Sequence, residues 1–233
     1  MKKLTVNEVY DSFVKSNALY SNEIDRDKAL IRFTMEAMVN ARKPKDETEE
    51  ERLIKIAKCI CDKKGYSSYK KMFFGDGDFV ATNGRLLMWI NGLSKREKPL
   101  IIDVYDGTEY DVYPNWKALL EESPIIEYHD CMIDLRALCE NYDFDNNTEV
   151  SLNAKDGTHI ARFHTRLLMK ALKAAQIHLK RKTGNFNVKM RIPKGLPRCE
   201  QAYMTFVDTN ITCFIMTNNP SINLEEKNVT VVV

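Results

Sequence analysis

The sequence predicts an α+β fold in which antiparallel sheets carry helices on one face. Short β-rich runs separated by glycine-containing turns dominate the chain after Gly65. Two helical patterns interrupt these runs in the second half, which reads β-α-β-β-α-β-β-β. Helices that alternate with meanders of antiparallel strands are typical of the α+β class, because both kinds of element then share one core.

The composition excludes several classes of protein. The chain of 233 residues is 44% hydrophobic and 29% charged, which is an ordinary globular balance. Its net charge of +2 predicts no general attraction to nucleic acid, so any basic surface has to come from local arrangement. The six cysteines form no C-x-x-C pair and follow no signal peptide, which favours reduced thiols and a cytoplasmic location. No run of about 18 apolar residues is present, so the sequence predicts no membrane span.

Helical patterns occupy the first part of the chain. A short strand candidate at 4–6 precedes apolar residues at helical spacing, and residues 26–40 form a second helix pattern. After a charged break, residues 48–63 form a third pattern, with Leu53 and Ile56 on its inner side. These patterns predict that the first part contributes helices to the fold.

Strand patterns follow in the middle of the chain, divided by turn signals at Thr82-Asn83-Gly84 and at Asp106-Gly107. The predicted strands lie at 68–74, 77–82, 85–90, 99–105 and 109–113. A short helix is predicted at 115–122. The region therefore reads as a meander of antiparallel strands.

The second half predicts further strands and two helices. The strands lie at 124–128, 130–133, 149–154, 157–163, 186–192, 202–208 and 212–217. The first helix covers 134–142, with Asp134 as its N-cap, and the second covers 165–179. The tail at 228–233 is rich in valine and β-prone, but the sequence predicts no partner for it.

Catalytic and metal-binding motifs are absent from the sequence. It contains no glycine-rich nucleotide loop, no H-E-x-x-H and no G-x-S-x-G. His159 and His164 flank one strand and could approach Cys131 or Cys139, but a zinc site needs four converging ligands at a recognisable spacing. We assign no catalytic residue, no metal and no cofactor, and we expect a protein that is not an enzyme. An enzyme that uses these histidines and a cysteine remains an alternative.

A basic stretch distinguishes the C-terminal third. No acidic residue occurs from Thr158 through Arg198, although the whole chain is nearly neutral. Ordinary helix faces mix both signs of charge, so a stretch of one sign favours a surface that faces phosphates without reading bases. The candidate DNA-facing residues are Arg162, Arg166, Lys170, Lys173, Lys180, Arg181 and Lys182.

Three segments resemble the bacterial DNA polymerase sliding clamp, the β subunit family. The first, "FVATNGRLL", resembles the family's "VATDGHRL", with Asn83 in place of the family's Asp and with the family's His missing. The second, "TCFIMTNNP", resembles the family's closing "YVVMPMRL" at Ile215 and Met216. The third, "ARFHTRLLMKALKAA", resembles a strand and helix of the last clamp domain. The three matches occur in family order.

The resemblance implies a hydrophobic pocket that grips a short peptide from DNA polymerase or another clamp-binding protein. The implied pocket residues are Thr82, Gly84, Arg85, Leu86, Ile215 and Met216. It also implies a homo-oligomeric ring whose inner helices surround duplex DNA without reading its sequence. On this interpretation the protein is a processivity factor that performs no bond chemistry.

The chain departs from the family in its helical insertion, its length and its tail. It fits two clamp-type domains, an N-terminal one at 1–125 with an insertion at about 26–64 and a C-terminal one at 126–233. A divergent two-domain clamp from a phage or mobile element matches that length. The alternative is a monomeric α+β module that binds DNA or protein partners and closes no ring.

Overall fold

A computed structural model describes residues 47–119, 127–141, 148–194, 201–217 and 225–232. The predicted strand at 4–6 and the predicted helix at 26–40 lie outside these residues. From Glu49 onward the chain belongs to one unit. We number the described helices and strands in chain order.

The described residues form three α-helices and eleven strands. The helices are α1 (Glu49–Ile60), α2 (Leu135–Asn141) and α3 (Thr165–His178). The first strands are β1 (Lys71–Gly75), β2 (Asp78–Thr82), β3 (Leu86–Ile90), β4 (Leu100–Asp103) and β5 (Tyr128–Asp134). The remaining strands are β6 (Thr148–Asn153), β7 (His159–His164), β8 (Asn187–Pro193), β9 (Gln201–Phe206), β10 (Ile211–Met216) and β11 (Glu225–Thr230).

Two sheets organise these strands. The larger has eight antiparallel strands in the order β4-β1-β2-β3-β10-β9-β8-β5, and the smaller has the order β11-β6-β7. At the centre of the larger sheet, β3 pairs with β10 in a register that places Ile215 opposite Leu86 and Phe214 opposite Leu87. Strands from both sides of the predicted boundary at 125/126 thus share one sheet, and the division into two domains stays a prediction.

Helices cover one face of the larger sheet, and the main core lies between them. Leu53, Ile56 and Ile60 of α1 are fully buried, and α3 buries a comparable apolar side. Alternate residues of the strands, such as Met88 and Ile90, enter the same core. The predicted α+β class, with helices on one face of an antiparallel sheet, is confirmed.

The described part of the predicted insertion at 26–64 is an integral part of this core. Helix α1 lies within that range, and it packs against α3 and against three strands of the larger sheet. The order α1-β1-β2-β3 is repeated by α3-β8-β9-β10. Removing α1 would expose the inner face of β1, β2 and β3 to water, while the assignment of 26–64 as an insertion into a clamp-type domain stays a prediction.

Two predictions about strands were wrong. Residues 109–113 form no strand, because after one isolated bridge between Ile102 and Glu109 the chain leaves the sheet edge. The tail, for which no partner was predicted, forms β11 and pairs in parallel with β6. By contrast, the predicted cap is present, since the Asp134 carboxylate accepts hydrogen bonds from the amides of Arg136 and Ala137 at 3.1 and 3.3 Å.

Candidate functional site

A cleft of about 370 Å³ lies on the face of the larger sheet opposite the helices. Its volume falls in the range of ligand-binding pockets, which span roughly 300–1,000 Å³. The lining residues are Tyr69, Thr82, Gly84, Arg85, Leu86, Leu87, Tyr113, Pro114, Asn115, Trp116, Gln201, Phe214 and Met216. Arg85 is the one charged residue among them, so the described walls are mostly apolar with a single cation at the surface.

The turn between β2 and β3 forms one wall and is held by its own side chains. The Asn83 side-chain oxygen accepts hydrogen bonds from the amides of Arg85 and Leu86 at 3.0 and 2.9 Å. The Thr82 hydroxyl accepts from the amide of Gly84 and donates to the carbonyl of Leu86, both at 3.0 Å. An Asp at position 83 would accept the same two bonds, which explains how Asn83 preserves this turn.

Gly84 lets an aromatic ring close over the turn. Its φ of +85° lies in the left-handed region, and a Cβ at this position would lie 2.8 Å from the Tyr69 ring. Glycine is therefore required at this position for two reasons: the backbone has a positive φ, and the Tyr69 ring occupies the space that a Cβ would need. As a result Tyr69 forms part of the cleft wall directly beside Thr82 and Arg85.

Five of the six predicted pocket residues line this cleft. Two of the six, Leu86 and Ile215, have their side chains in the core. Thr82, Gly84, Arg85, Leu86 and Met216 line the cleft, whereas Ile215 does not. The side chains of Leu86 and Ile215 are fully buried in the helix-side core. Because strand side chains alternate between faces, Leu87 and Phe214 are the neighbours that face the cleft. Whether the cleft binds a peptide stays a prediction.

The segment after β4 supplies a wall that the sequence interpretation missed. Trp116 lies 5.6 Å from the ring of Trp89 and 6.4 Å from the ring of Phe73, and it joins a small apolar cluster with Val80, Leu87 and Phe214. The Tyr113 hydroxyl donates to the Val80 carbonyl at 3.3 Å. The aromatic run Tyr-Pro-Asn-Trp at 113–116 was a signal for such packing, but it was interpreted as strand and helix.

The opposite face of the sheet carries the predicted cations of α3. Arg166 and Lys173 are exposed, while Lys170 is mostly buried. Asp62 lies 3.3 Å from the guanidinium of Arg166 and 2.6 Å from the ammonium of Lys170, which also donates to the carbonyl of Ile60. One carboxylate therefore partly neutralises two of the three cations, and Lys173 has no salt bridge to any described residue.

The other candidate cations are divided between two environments. Lys180, Arg181 and Lys182 follow α3 and are exposed, and the Arg181 guanidinium lies 4.8 Å from the Phe186 ring. Arg162 belongs to the smaller sheet, where its guanidinium lies 2.7 Å from Glu226 and 3.9 Å from Glu149. We correct its assignment, because a side chain that is 12% exposed and held by two carboxylates is not available to phosphates.

Helix α1 adds two exposed cations that the sequence interpretation did not select. Lys55 and Lys58 lie three residues apart on its exposed side. Burial raises the pKa of the Cys59 thiol on α1, and the charges of Lys173 and Lys170 on α3 act against this rise, so these cations are close to α1. The basic surface is therefore shared by α1 and α3. The helical spacing of Lys55 and Lys58 could have indicated this shared surface from the sequence. The acidic residues at the start of α1 obscured it.

The histidines and cysteines show structural roles. The His164 side chain accepts from the amide of Arg166 at the start of α3, and His159 lies 3.3 Å from the Asn153 side chain. Burial raises the pKa of Cys131 to about 11 and those of Cys61 and Cys139 to about 12, which favours the protonated form of these thiols at neutral pH. Across the described ranges, no three His, Cys, Asp or Glu residues form a group that could hold a metal.

Solved structures that this chain resembles include β chains of bacterial DNA polymerase III. The chain aligns with Caulobacter crescentus pol III β at a TM-score of 0.52 and 10% identity, over 76% of this chain and 65% of that one. The fold is that of sliding-clamp domains. The DNA polymerase III β chain of Streptococcus pneumoniae aligns at 0.51 and 9% identity, over 73% and 62% of the two chains. The Bartonella birtlesii sliding clamp bound to griselimycin aligns at 0.50 and 8% identity, over 76% and 65%.

The likeness to sliding clamps is one of fold, because identity is low throughout. The alignments cover less than two thirds of the length of each clamp chain. No protein-family model matches the sequence, and no curated protein matches it. Among the helices that the structure describes, none has the length and apolar character needed to cross a membrane.

Proposed function

We propose that this protein is a DNA sliding clamp, a processivity factor that forms a homo-oligomeric ring around duplex DNA and binds partner peptides in the outer cleft. One observation carries the proposal: a sheet with the sliding-clamp fold bears exposed cations on its helix face and an apolar cleft on its other face. The two surfaces are separated by the sheet, so DNA and a peptide can bind at the same time. We further propose that the clamp acts in the cytoplasm and comes from a phage or mobile element.

The helix face suits a protein that slides. Sliding needs a diffuse positive potential, because tight or base-specific contacts would hold the ring at one place. Arg166, Lys173 and Lys58 provide exposed cations at separate points of this face. Asp62 lowers the charge that Arg166 and Lys170 present, which weakens individual phosphate contacts without removing the attraction.

The outer cleft suits a short apolar peptide with a polar or acidic neighbour. Leu87, Phe214 and Trp116 form an apolar base, and buried anchor side chains supply most of the affinity in such sites. Arg85 is exposed at the cleft and can pair with a carboxylate of the peptide. We propose DNA polymerase and other DNA-processing proteins as the source of these peptides.

The mass of the protein in solution tests the ring. A chain of 27.0 kDa should sediment or scatter as two or three copies if it closes a ring. The alternative, a monomeric module that binds DNA or protein partners, is favoured by the neutralisation of part of the basic face by Asp62. A mass of one copy at every concentration, with the fold intact, would replace the ring by this alternative.

A pair of methionine variants tests the cleft. Met216→Asp puts a charge into the cleft wall, whereas Met132→Asp puts the same charge at an exposed site on β5 that does not line the cleft. We expect Met216→Asp to abolish binding of short fluorescent peptides that carry apolar anchors beside one acidic residue. Met132→Asp should bind like the unmodified protein. Equal affinity of both variants would exclude the cleft as the peptide site.

A further inference from the structure

The C-terminal strand β11 fills an edge of β6 that cannot stay open. Residues Val150, Ser151 and Leu152 of β6 are buried, so this strand behaves as an interior strand. One of its edges pairs with β7 and the other pairs in parallel with β11 from Glu225 to Thr230. If β11 left, a row of backbone donors and acceptors beside a buried strand would lose its partners, which is costly unless another strand replaces it.

The contacts that hold β11 in place are local and mostly polar. Among its described side chains and the two residues that follow, Val229 and Val231 are buried, while Glu226, Asn228 and Thr230 are exposed. Parallel pairing is slightly less stable per residue than antiparallel pairing. A strand with one buried side chain, followed by a second at Val231, is therefore expected to open at a lower free energy than the core of the larger sheet.

An ion pair between Arg162 and Glu226 helps to fix the register of the tail. The Arg162 guanidinium bonds to the Glu226 carboxylate at 2.7 Å and to the Ser151 hydroxyl at 3.0 Å, and that hydroxyl also donates to Glu226. Two residues further along each strand, the Asn153 side-chain amide donates to the Asn228 side-chain oxygen at 3.1 Å. These contacts recognise the sequence of this tail rather than strands in general.

We propose that the β6 edge is a docking site for an exchangeable strand, and that its second occupant is the C-terminal strand of another copy of this chain. Every contact described above would form between two copies as it forms within one, so exchange loses no interaction. The strand of the same copy is favoured at low protein concentration, because it is covalently attached to its docking site. The fraction of exchanged strands should rise with protein concentration. Reciprocal exchange produces a closed pair of copies with two identical docking sites.

This inference does not require DNA binding, although it supplies a contact for the oligomer that the proposed function needs. It also gives Arg162 a positioning role in place of contact with phosphates. Failure of strand exchange would leave the DNA-binding face and the cleft untouched, because both lie on the larger sheet. Failure of DNA binding would likewise leave the exchange site in place.

Mixed single-cysteine variants test the exchange in the full chain. Asn153→Cys in one copy and Asn228→Cys in another place a thiol pair at an exposed contact, and in the mixture a disulfide between positions 153 and 228 requires exchange. We expect the mixture to form a covalent two-chain species on oxidation, increasingly at higher concentration. Each variant alone is the control, and the double variant in one chain should close an internal disulfide. An internal disulfide in the double variant, with no two-chain species in the mixture at any concentration, would overturn the proposal.

A mixture of two charge-reversed variants tests the ion pair between Arg162 and Glu226. Arg162→Glu and Glu226→Arg each place like charges together within one copy, whereas exchange between the two variants restores an opposite pair at both sites. We expect the mixture to give a stoichiometric two-chain species by native mass spectrometry, and each variant alone to give none. The double variant Arg162→Glu/Glu226→Arg, whose pair is restored within one chain, controls for folding. A mixture that stays as two separate species would also contradict the exchange.

Discussion

Replacing Lys173 by alanine removes an exposed cation from the helix face without disturbing the core. Its side chain projects from α3 between positions whose side chains are buried, such as Leu172 and Ala174. Alanine also has the highest helix propensity, so the variant should fold at least as well as the unmodified protein. Any loss of DNA affinity then reports the missing charge.

The expected loss follows from counterion release. Each phosphate contact contributes a slope of about 0.9 to the fall of log affinity with log salt. Losing one contact should therefore reduce the magnitude of the slope by about 0.9. Between about 50 and about 200 mM salt, the affinity of the variant should then fall by a factor about 3.5-fold smaller than that of the unmodified protein. Asp62→Asn should act in the opposite direction, since it removes the carboxylate that neutralises the exposed Arg166.

Lys189→Ala provides a matched control from the same basic stretch. Val188 and Met190, its neighbours on β8, enter the helix-side core, so Lys189 projects from the other face of the sheet. Fluorescence anisotropy with a labelled duplex, measured over a range of salt concentrations, gives the slope for each variant. Equal slopes for Lys173→Ala and Lys189→Ala would refute the assignment of the helix face to DNA.

Further predictions concern the cleft turn, the thiols, a buried histidine and the tail. Gly84→Ala should cost more stability than Gly157→Ala in urea unfolding, because both glycines have a φ of +85° but a Cβ meets the Tyr69 ring only at position 84; equal losses would show that the ring moves freely. With its pKa raised to about 12, Cys61 should resist maleimide at neutral pH until the protein unfolds, as read by peptide mass spectrometry; labelling in the native state would contradict its burial. Burial and the charge of Arg52 hold the pKa of His178 below its usual 6.5, so stability should fall as the pH drops below that value, and His178→Gln should reduce this fall. The pKa of Glu226 is lowered by bonds from Ser151 and Arg162, so the tail should become more protease-sensitive as the pH falls below the usual 4.5 and through the lowered value, a change that Glu226→Gln should abolish.

Local patterns were enough to predict the elements that depend on neighbouring residues. The cap at Asp134, the turn at Asn83 and Gly84, and helix α3 all form through contacts within a few residues of the chain. Such contacts leave a direct signal in the sequence. The pairing of β3 with β10 is distant in sequence, and resemblance to a known family suggested that these strands meet.

The face of each strand residue could not be predicted where both faces are covered. Strand β3 reads Leu-Leu-Met-Trp-Ile because helices cover one face and Trp116 with Tyr113 covers the other. A strand buried on both sides loses the alternation of apolar and polar residues that identifies its inner face. Leu86 was selected by resemblance to the family motif, and the strand pattern gave no reason to choose Leu87, whose side chain faces the cleft.

Ionic partners far apart in sequence were also beyond prediction. Arg162 reaches Glu226, 64 residues later, and Lys170 reaches Asp62, 108 residues earlier. The basic stretch correctly indicated unusual charge, but its cations were predicted as one surface. The fold divides them, because strand β7 carries Arg162 into the smaller sheet while α3 carries Arg166 and Lys173 beside α1.

Retention on linear duplex DNA with free or blocked ends tests most directly whether the protein encircles DNA. A ring can thread onto a free end and leave by it, and it stays on the duplex when both ends are blocked after binding. We predict that bound protein survives a wash in high salt on DNA whose ends are blocked by bulky adducts, and that it is lost from the same DNA with free ends. Equal loss from both substrates would show that the protein binds the duplex from one side and does not surround it.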